Sequence, residues 1–291
     1  MTVNVKNGFL KASQEWVDQK LNQPLKILVL NLMPTKKQTE LQFLNILNAL
    51  DHDIEVTFIY PATHHFKTID RAEVEDCYCS LNQISDHHYD GLIITGAPVE
   101  QIDFESVDYW DEFVSIKRWA QTHVGQTINE CWAAQAALYD DFAIDKCLLP
   151  QKLFGIYQAT AVKDDCQLSV GLEHFTNPQS RHSASLIDRK HLPNGLNIVA
   201  DNPEAGPLLL HSDVKHQTYV TGHPEYLTRT LNDEYLRDIA RHAQIKAPVN
   251  YYDQNHHVRN TWQSSSIRLY QNWINLIESE ALNYDQTKIT I

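Results

Sequence analysis

The order of apolar and polar positions in the first 140 residues predicts the fold of this chain. Residues 25–32 form a nearly continuous apolar run, typical of a strand buried on both faces of a parallel sheet. Residues 54–60 and 91–95 predict two further strands, and residues 39–50 have the apolar spacing of an amphipathic helix. The long connection over residues 61–90 predicts one short helix. This alternation predicts an α/β fold with a doubly wound, mostly parallel sheet.

A fourth predicted strand, residues 126–130, runs into a helix-forming segment, residues 133–138, with Cys131 at the junction. Because no glycine, proline or turn cluster separates them, we expect a tight elbow that projects the Cys131 side chain at the carboxyl end of the strand. The N–H groups that open the helix would favour a thiolate and an adjacent oxyanion. A buried structural cysteine is the alternative, and this stretch alone leaves both open.

The second half of the chain is richer in strands and less regular. Residues 198–200 and 207–210 predict strands, and residues 218–221 predict the last clear one. A helix should follow, because apolar residues recur there four positions apart. They are Leu227, Leu231, Tyr235 and Ile239.

No repeat, low-complexity tract or linker divides the sequence, so we expect a single domain over residues 1–291. Residues 1–24 predict an arm that packs on the body of the domain. From about residue 250 to residue 291 we expect a closing segment that contains a helix over residues 267–282 around Trp273.

Composition excludes several classes of protein. The chain has 291 residues, of which 43% are hydrophobic, enough for one large core. Its formal net charge of −13 argues against a nucleic-acid or anionic-membrane partner. Five cysteines without CxxC spacing suit a reducing compartment. Neither a signal-peptide pattern nor a membrane-spanning apolar run is evident, so a soluble, cytoplasmic protein is expected.

A cysteine nucleophile needs a base, and the base needs a group that orients it. His223 and Glu225 fit these roles because they follow a predicted strand and lie two residues apart, so that their side chains leave an extended segment on the same side. Pro224 keeps the segment from becoming helical. An isolated His-Pro-Glu is more often a surface turn; its combination with Cys131 at a second strand end favours the catalytic interpretation.

Fifteen histidines also invite a metal hypothesis. Those at 64–65, 87–88 and 256–257 are adjacent pairs without the spacing of metal ligands, so we expect no metal ion. The sequence also lacks GxGxxG and GxxxxGK[ST] motifs, which argues against a bound dinucleotide or P-loop nucleotide.

Five segments resemble the homoserine O-acyltransferases of bacterial methionine biosynthesis, in the same order, between about residues 25 and 275. They are NLMPTKKQTE (31–40), GLIITGAPVE (91–100), ECWAAQAALY (130–139), KLFGIY (152–157) and VTGHPEY (220–226). The resemblance implies a flavodoxin-like, class I glutamine-amidotransferase-like α/β fold. The amidotransferase motif G-x-C-x-G-x-Q survives only as NECWAAQ (129–135), which argues against an ordinary glutaminase.

The resemblance also implies roles for single residues. Cys131 matches the nucleophile that takes the acyl group from acyl-CoA as a thioester, His223 matches the proton acceptor, and Glu225 matches its partner.

Four further residues match substrate-binding positions of the family. Lys152 matches a substrate-binding lysine, and Ser180 matches a serine linked to substrate specificity. Arg237 matches the arginine that holds the α-carboxylate of the amino acid, a task suited to a guanidinium. Glu100 stands where relatives that favour acetyl-CoA carry Glu and succinyl-CoA users carry Gly, and a carboxylate there would repel a succinyl group.

The predicted reaction is a two-step acetyl transfer from the co-substrate acetyl-CoA to L-homoserine or L-serine, in methionine or cysteine biosynthesis, without a permanently bound cofactor. Lys36 and Lys37 are either ligands of the CoA phosphates or an exposed pair at a helix start. The elbow N–H groups and the backbone near Ala97 would stabilise the oxyanion.

Several alternatives stay open. They are succinyl transfer from succinyl-CoA, a hydrolase that uses no CoA, a non-catalytic binding relative, and a homodimer in place of a monomer. Two departures from the family, Gln158-Ala159 in place of Glu-His and Gln179 in place of a frequent His, are expected near the acceptor pocket and keep serine a rival acceptor. Homologues that differ by one methylene are hard to discriminate, since that group contributes only ~1–3 kcal/mol.

Overall fold

A nine-stranded β-sheet forms the centre of the computed structural model, which describes residues 2–289. Eleven strands occur in chain order: β1 (Val3–Val5), β2 (Leu25–Leu30), β3 (Ile54–Ile59), β4 (Tyr89–Ile94), β5 (Val124–Glu130), β6 (Lys146–Gln158), β7 (Ala161–Val162), β8 (Thr176–Ser185), β9 (Asn197–Asn202), β10 (Gly206–Ser212) and β11 (Gln217–Val220). The sheet order is β1-β3-β2-β4-β5-β11-β10-β9-β7, and β6 and β8 form a separate antiparallel ribbon.

In this order, the first six strands, from β1 at the edge through β11, run parallel to one another. The remaining three strands, β10, β9 and β7, each pair antiparallel with the preceding strand. The central order β3-β2-β4-β5-β11 corresponds to the 2-1-3-4-5 order of flavodoxin-like folds. The prediction of a doubly wound, mostly parallel α/β sheet is therefore confirmed.

Helices cover both faces of the sheet. They are α1 (Phe9–Ala12), α2 (Lys36–Asn48), α3 (Arg71–Cys77), α4 (Leu81–Ile84), α5 (Trp110–His123), α6 (Trp132–Phe142), α7 (Thr230–Ala240) and α8 (Gln263–Ile289). Ile27 and Val29 of β2 belong to the core that α2 and α8 cover, whereas Leu28 and Leu30 belong to the core beneath α5 and α6. Burial on both faces explains why β2 reads as a continuous apolar run.

The connection over residues 61–90 contains two short helices, so the prediction of one is wrong. Asp70 begins α3, where its side chain accepts a hydrogen bond from the N–H of Ala72. A capping box begins α4, in which Ser80 and Gln83 bond each other's backbone. This Ser-x-x-Gln pattern is visible in the sequence and would have located the second helix.

The helix after the last parallel strand also differs from its prediction. It begins at Thr230, so Leu227 lies before it, and Ile239 is exposed. Leu231 and Tyr235 do pack inward, because they belong to the small apolar cluster around Trp262.

Segments near both termini, β1 and residues 269–277 of α8, pack on the sheet. β1 pairs with β3 at the edge, and the Glu40 carboxylate accepts hydrogen bonds from the N–H groups of Phe9 and Leu10. The predicted helix over residues 267–282 lies within α8, whose Trp273 is fully buried. Met1 and residues 290–291, which the predicted domain limits include, lie outside the described residues. Among the helices of residues 2–289, none is both long and apolar enough to cross a membrane.

Candidate active site

Cys131 forms a tight elbow between β5 and α6. Its backbone has φ 49° and ψ −113°, a conformation that costs energy for any residue other than glycine and that marks functional turns. The Cys131 N–H donates to the carbonyl of Val220 on β11 at 2.8 Å, and its carbonyl accepts from the N–H of Gln135 inside α6 at 3.2 Å. These two bonds hold the elbow in place, and its largely buried side chain lines a cavity.

Among the N–H groups of the elbow, that of Cys131 itself is occupied by its bond to Val220 and is not aimed at an oxyanion. The N–H groups of Trp132 and Ala133 open α6 and have no partner within the helix. Ala97, at the end of the β4 turn, lines the same cavity. Donors from the start of α6 and from Ala97 are therefore the candidates for an oxyanion site.

His223 lies three residues beyond the end of β11 and is buried with Glu225. Its Nδ1 is 2.9 Å from Oε1 of Glu225, so Nδ1–H donates to the carboxylate and Nε2 is left to face Cys131. The imidazole stacks on the ring of Tyr226 with 4.2 Å between ring centroids and a tilt of 15°. These contacts fix the plane of the histidine ring.

The local backbone explains why a glycine precedes His223. A Cβ on Gly222 would lie 2.2 Å from the carbonyl oxygen of Pro178. The N–H of His223 donates to this same carbonyl at 2.9 Å, and to Oδ1 of Asn177 at 3.0 Å. Only glycine permits this close approach between the His223 loop and β8.

Cys131 and His223 form a polar pair in a buried setting. Burial disfavours the imidazolium, but the charge of the Cys131 sulfur, its hydrogen bond with the ring and nearby acidic groups such as Glu234 together raise the pKa of His223. Gly96 packs against both groups, because a Cβ there would lie 3.2 Å from Cys131 Cβ and 3.2 Å from His223 Cε1. The arrangement suits a thiolate–imidazolium pair.

The cavity above Cys131 has a volume of about 440 Å³ and is lined by six of the seven residues that the sequence singles out. They are Cys131, His223, Lys152, Ser180, Arg237 and Glu100. Glu225 lies behind His223. The structure thus brings together residues that follow three strands, β4, β5 and β11, with residues of the β6–β8 ribbon and α7.

The ribbon and α7 are joined across the cavity by an ion-pair network. Lys152 Nζ lies 3.1 Å from Oδ2 of Asp238 and 3.5 Å from Oε2 of Glu234. Ser180 Oγ donates to Glu234 at 2.5 Å. Arg237, half exposed at the rim of the cavity, donates through Nε and Nη2 to Asp238. The network can bind both the ammonium and the carboxylate group of an amino acid.

Three residues of this site, Glu234, Asp238 and Arg181, were not predicted from the sequence. Glu234 accepts hydrogen bonds from Ser180 and from the hydroxyl of Tyr226, and lies one helical turn from Asp238. Arg181 is buried and donates to Gln179 and two backbone carbonyls. Burial lowers the pKa of Arg181, and the nearby Cys131 sulfur acts against that lowering. The i, i+4 acidic spacing in α7 was the available signal for Glu234.

Both interpretations of Lys36 are wrong. Its side chain is buried, its Nζ donates to the carbonyl of Asn31 at 2.6 Å, and it lies 5.5 Å from the ring centroid of Phe66. Burial lowers the pKa of Lys36 from 10.5 to about 7, against the attraction of Glu40. Lys37 is exposed and pairs with Glu15 at 2.8 Å, which agrees with the interpretation of Lys37 as an exposed charge at the start of a helix.

Of the departures from the family, Gln158 and Ala159 lie away from the acceptor cavity, contrary to expectation, whereas Gln179 lies next to the site, beside Gly222. Gln158 lines a separate surface groove with His174, and Ala159 is buried in the main core. Gln179 is buried behind the site, where it accepts a hydrogen bond from Arg181. Strand β6 extends past the cavity before it reaches residue 158, which places residues 158 and 159 away from the cavity.

The histidine pairs occupy separate positions. His64 and His65 both contact Asp108, and His88 packs on His123. Within the described part of the chain, no group of three or more His, Cys, Asp or Glu side chains is arranged to hold a metal ion.

Comparison with known proteins finds relatives that are similar in sequence over nearly the whole chain. A family model described as "Homoserine O-succinyltransferase" matches residues 2–284. A homoserine O-acetyltransferase of Bacillus licheniformis is 38% identical over 267 residues, 90% of this chain and 88% of that protein. One from Lachnospira eligens is 38% identical over 283 residues, 96% of this chain and 91% of that protein.

Solved structures support the fold alone. A glutamine amidotransferase from Thermotoga maritima has a TM-score of 0.56 at 10% identity and covers 88% of this chain and 100% of its own. A glutamine amidotransferase from Methylobacillus flagellatus has a TM-score of 0.55 at 14% identity, with 87% and 95% covered. The expected class I glutamine-amidotransferase-like fold is therefore confirmed.

Proposed function

This chain belongs to the homoserine O-acyltransferase family, and from that premise we propose that it transfers an acetyl group from acetyl-CoA to the side-chain hydroxyl of L-homoserine. The observation that carries the proposal is the cavity in which the Cys131 elbow meets the His223–Glu225 pair. A nucleophile next to a base that is oriented by a carboxylate is the arrangement that covalent acyl transfer uses.

In the first half-reaction, the Cys131 thiolate attacks the thioester carbonyl of acetyl-CoA. The oxyanion that forms is stabilised by N–H groups from Ala97 and from the start of α6. The carbon–sulfur bond to CoA breaks, the CoA sulfur takes the proton from the His223 imidazolium, and an acetyl-cysteine thioester is left on the protein.

In the second half-reaction, Nε2 of His223 takes the proton of the acceptor hydroxyl as its oxygen attacks the acetyl-cysteine carbonyl. The bond to the Cys131 sulfur then breaks, which regenerates the thiolate and releases the acetyl ester. Glu225 stabilises the imidazolium in both steps through the 2.9 Å hydrogen bond to Nδ1.

The network at the rim supports an amino-acid acceptor. We assign Arg237 to the α-carboxylate of the acceptor, which would share the guanidinium with Asp238. Glu234 is suited to the α-ammonium group, while Lys152 and Ser180 hold Glu234 in place. The reacting hydroxyl would then point inward toward His223.

Glu100 supports acetyl-CoA over succinyl-CoA as the donor. It lines the cavity close to Ala97, where a second carboxylate on the acyl chain would meet its negative charge. Homoserine is favoured over serine because the relatives are named homoserine O-acetyltransferases. The departures at Gln158 and Ala159, which had kept serine open, lie away from the cavity lining.

The test is a thiol-release assay with acetyl-CoA and succinyl-CoA, each combined with L-homoserine and L-serine, together with mass spectrometry of the intact protein. We expect acetyl-CoA with homoserine to be the best pair, and a gain of one acetyl mass on Cys131 when the acceptor is omitted. Cys131→Ala should abolish both signals, and Cys147→Ala, at an exposed cysteine, is the matched control. Release of thiol without acceptor at the full rate would instead indicate a hydrolase, and activity in Cys131→Ala would overturn the mechanism.

A further inference from the structure

Glu130, the residue immediately before the nucleophile, has a buried carboxyl group that the mechanism above does not use. It is the last residue of β5 and its exposed fraction is 0%. Its carboxyl group lies in hydrogen-bond contact with that of Glu225. Two charged carboxylates cannot share a dry site, so a proton must lie between them.

The remaining contacts of the pair show which carboxyl group carries this proton. Glu225 accepts the Nδ1–H of His223 on Oε1, a role that needs a carboxylate. Glu130 accepts the hydroxyl hydrogen of Tyr270, from α8, on its own Oε1. The Oε2 atoms of Glu130 and Glu225 are both buried, and neither has another partner among the described residues. An O–H on Glu130 Oε2 that points at Glu225 Oε2 satisfies both atoms at once.

The electrostatics agree with this placement. Burial, and then the charge of Glu225, raise the pKa of Glu130 well above its usual range. Burial raises the pKa of Glu225 to about 7, against the hydrogen bond from Glu130, which lowers it. The other titratable groups that act on the pair are His223, Tyr270 and, from α7, Glu234. Of the two carboxyl groups, Glu130 is thus the one that stays neutral.

We propose that Glu130 is a positioning residue of the acyl transfer: as a neutral carboxylic acid, it donates a hydrogen bond to Glu225 and so fixes the carboxylate that orients His223. The chain of donors runs from Tyr270 to Glu130 and from Glu130 to Glu225, which also accepts from His223. The proposal rests on the proposed function, because it assigns His223 the role of base. It adds Glu130 and Tyr270 to the group of residues formed by Cys131, His223 and Glu225.

A purely space-filling role for Glu130 makes different predictions. Glu130→Gln keeps the size, a donor toward Glu225 and an acceptor for Tyr270, whereas Glu130→Leu keeps the size and removes both. If Glu130 positions Glu225, Glu130→Gln should keep kcat within about threefold of the wild type. Glu130→Leu should lower kcat about 10- to 100-fold, since a buried carboxylate loses its donor, and should leave KM for both substrates nearly unchanged.

The pH profile gives a second readout that space filling would not move. Loss of the Glu130 hydrogen bond raises the pKa of Glu225, so Glu225 becomes neutral at a higher pH. We expect the acid limb of kcat/KM to move upward by about one pH unit in Glu130→Leu and to stay in place in Glu130→Gln. Tyr270→Phe, which leaves the residue beside Cys131 intact, should lower kcat about threefold to tenfold and also covers the case in which the Leu variant does not fold.

Infrared spectroscopy tests the proton itself, independently of turnover. The wild type at neutral pH should show the band of a neutral carboxylic acid, and the difference from Glu130→Gln should assign that band to Glu130. The proposal is overturned if the difference spectrum lacks this band, if Glu130→Leu retains the wild-type kcat and acid limb, or if Glu130→Gln is as impaired as Glu130→Leu. A wild-type chain without acyl transfer would overturn the proposed function, and the infrared band would still decide where the proton lies.

Discussion

Replacing Lys36 with Met should stabilise this protein, and the gain should depend on pH. The Lys36 side chain is 4% exposed, with its Nζ bonded to the carbonyl of Asn31 and placed near the rings of Phe66 and Tyr78. The ammonium form is poorly solvated there, which lowers the pKa of Lys36 to about 7. Below that pH the folded chain must hold a charge that the unfolded chain keeps in water.

The magnitude follows from linkage. A fall from 10.5 to about 7 is a difference of about 3.5, which at 1.36 kcal/mol for each pKa unit costs the folded state about 5 kcal/mol at pH 6. Met is similar in size and uncharged, but it leaves the Asn31 carbonyl without its donor, at a cost of about 1–3 kcal/mol. The net gain of Lys36→Met at pH 6 is therefore about 2–4 kcal/mol.

The sign of the pH dependence is fixed by proton binding. Between about pH 7 and 10.5, the unfolded chain binds more protons at this residue than the folded chain does, so the stability of the wild type rises with pH. The advantage of the Met variant should accordingly shrink by about 3 kcal/mol from pH 6 to pH 9.

Urea unfolding of the wild type and of Lys36→Met at pH 6, 7, 8 and 9 measures this difference directly. Lys37→Met is the matched control, because Lys37 is exposed and its pair with Glu15 lies at the surface. We expect the control to leave the pH dependence of unfolding unchanged, and the KM for acetyl-CoA to be unchanged in both variants. A stability difference for Lys36→Met that is constant over this pH range would refute the reasoning.

Three further changes test the site itself. Gly96→Ala should lower kcat about tenfold or more, because the new Cβ would lie 3.2 Å from both Cys131 Cβ and His223 Cε1 and must displace one of them. An unchanged kcat would show that Cys131 and His223 are not held tightly. Arg237→Lys should raise KM for homoserine about tenfold, because the two-pronged guanidinium is lost, and should leave KM for acetyl-CoA unchanged. A rise in KM for acetyl-CoA instead would show that Arg237 binds the donor and not the acceptor. Glu100→Gly should raise the kcat/KM ratio of succinyl-CoA to acetyl-CoA at least about tenfold, and no gain would remove Glu100 from donor selection.

Local sequence was sufficient to predict the geometry of the site where that geometry depends on contacts between neighbouring residues. The unbroken change from strand to helix around Cys131 predicted an elbow, and the structure has one. The two-residue spacing of His223 and Glu225 predicted that their side chains would leave the chain together, and they meet at 2.9 Å. In both cases, the backbone conformation of a few consecutive residues determines the geometry.

Local sequence was misleading where partners come from distant elements. Lys36 looks like the exposed start of a helix, yet Phe66 and Tyr78 cover it from a connection some thirty to forty residues away. Gln158 looks like a neighbour of the acceptor pocket because it follows the KLFGIY segment, but β6 carries it past the cavity.

The sequence by itself determined the alternation of strands and helices, the strand-end positions of Cys131 and His223, and the family, because these depend on periodicity and on short motifs. Only the tertiary structure decided the protonation of the buried groups. Tyr270 reaches Glu130 across 140 positions of sequence, and the proton between Glu130 and Glu225 exists because packing excludes water there. A side chain's charge depends on what surrounds it, and those surroundings come from elements that a linear pattern does not bring together.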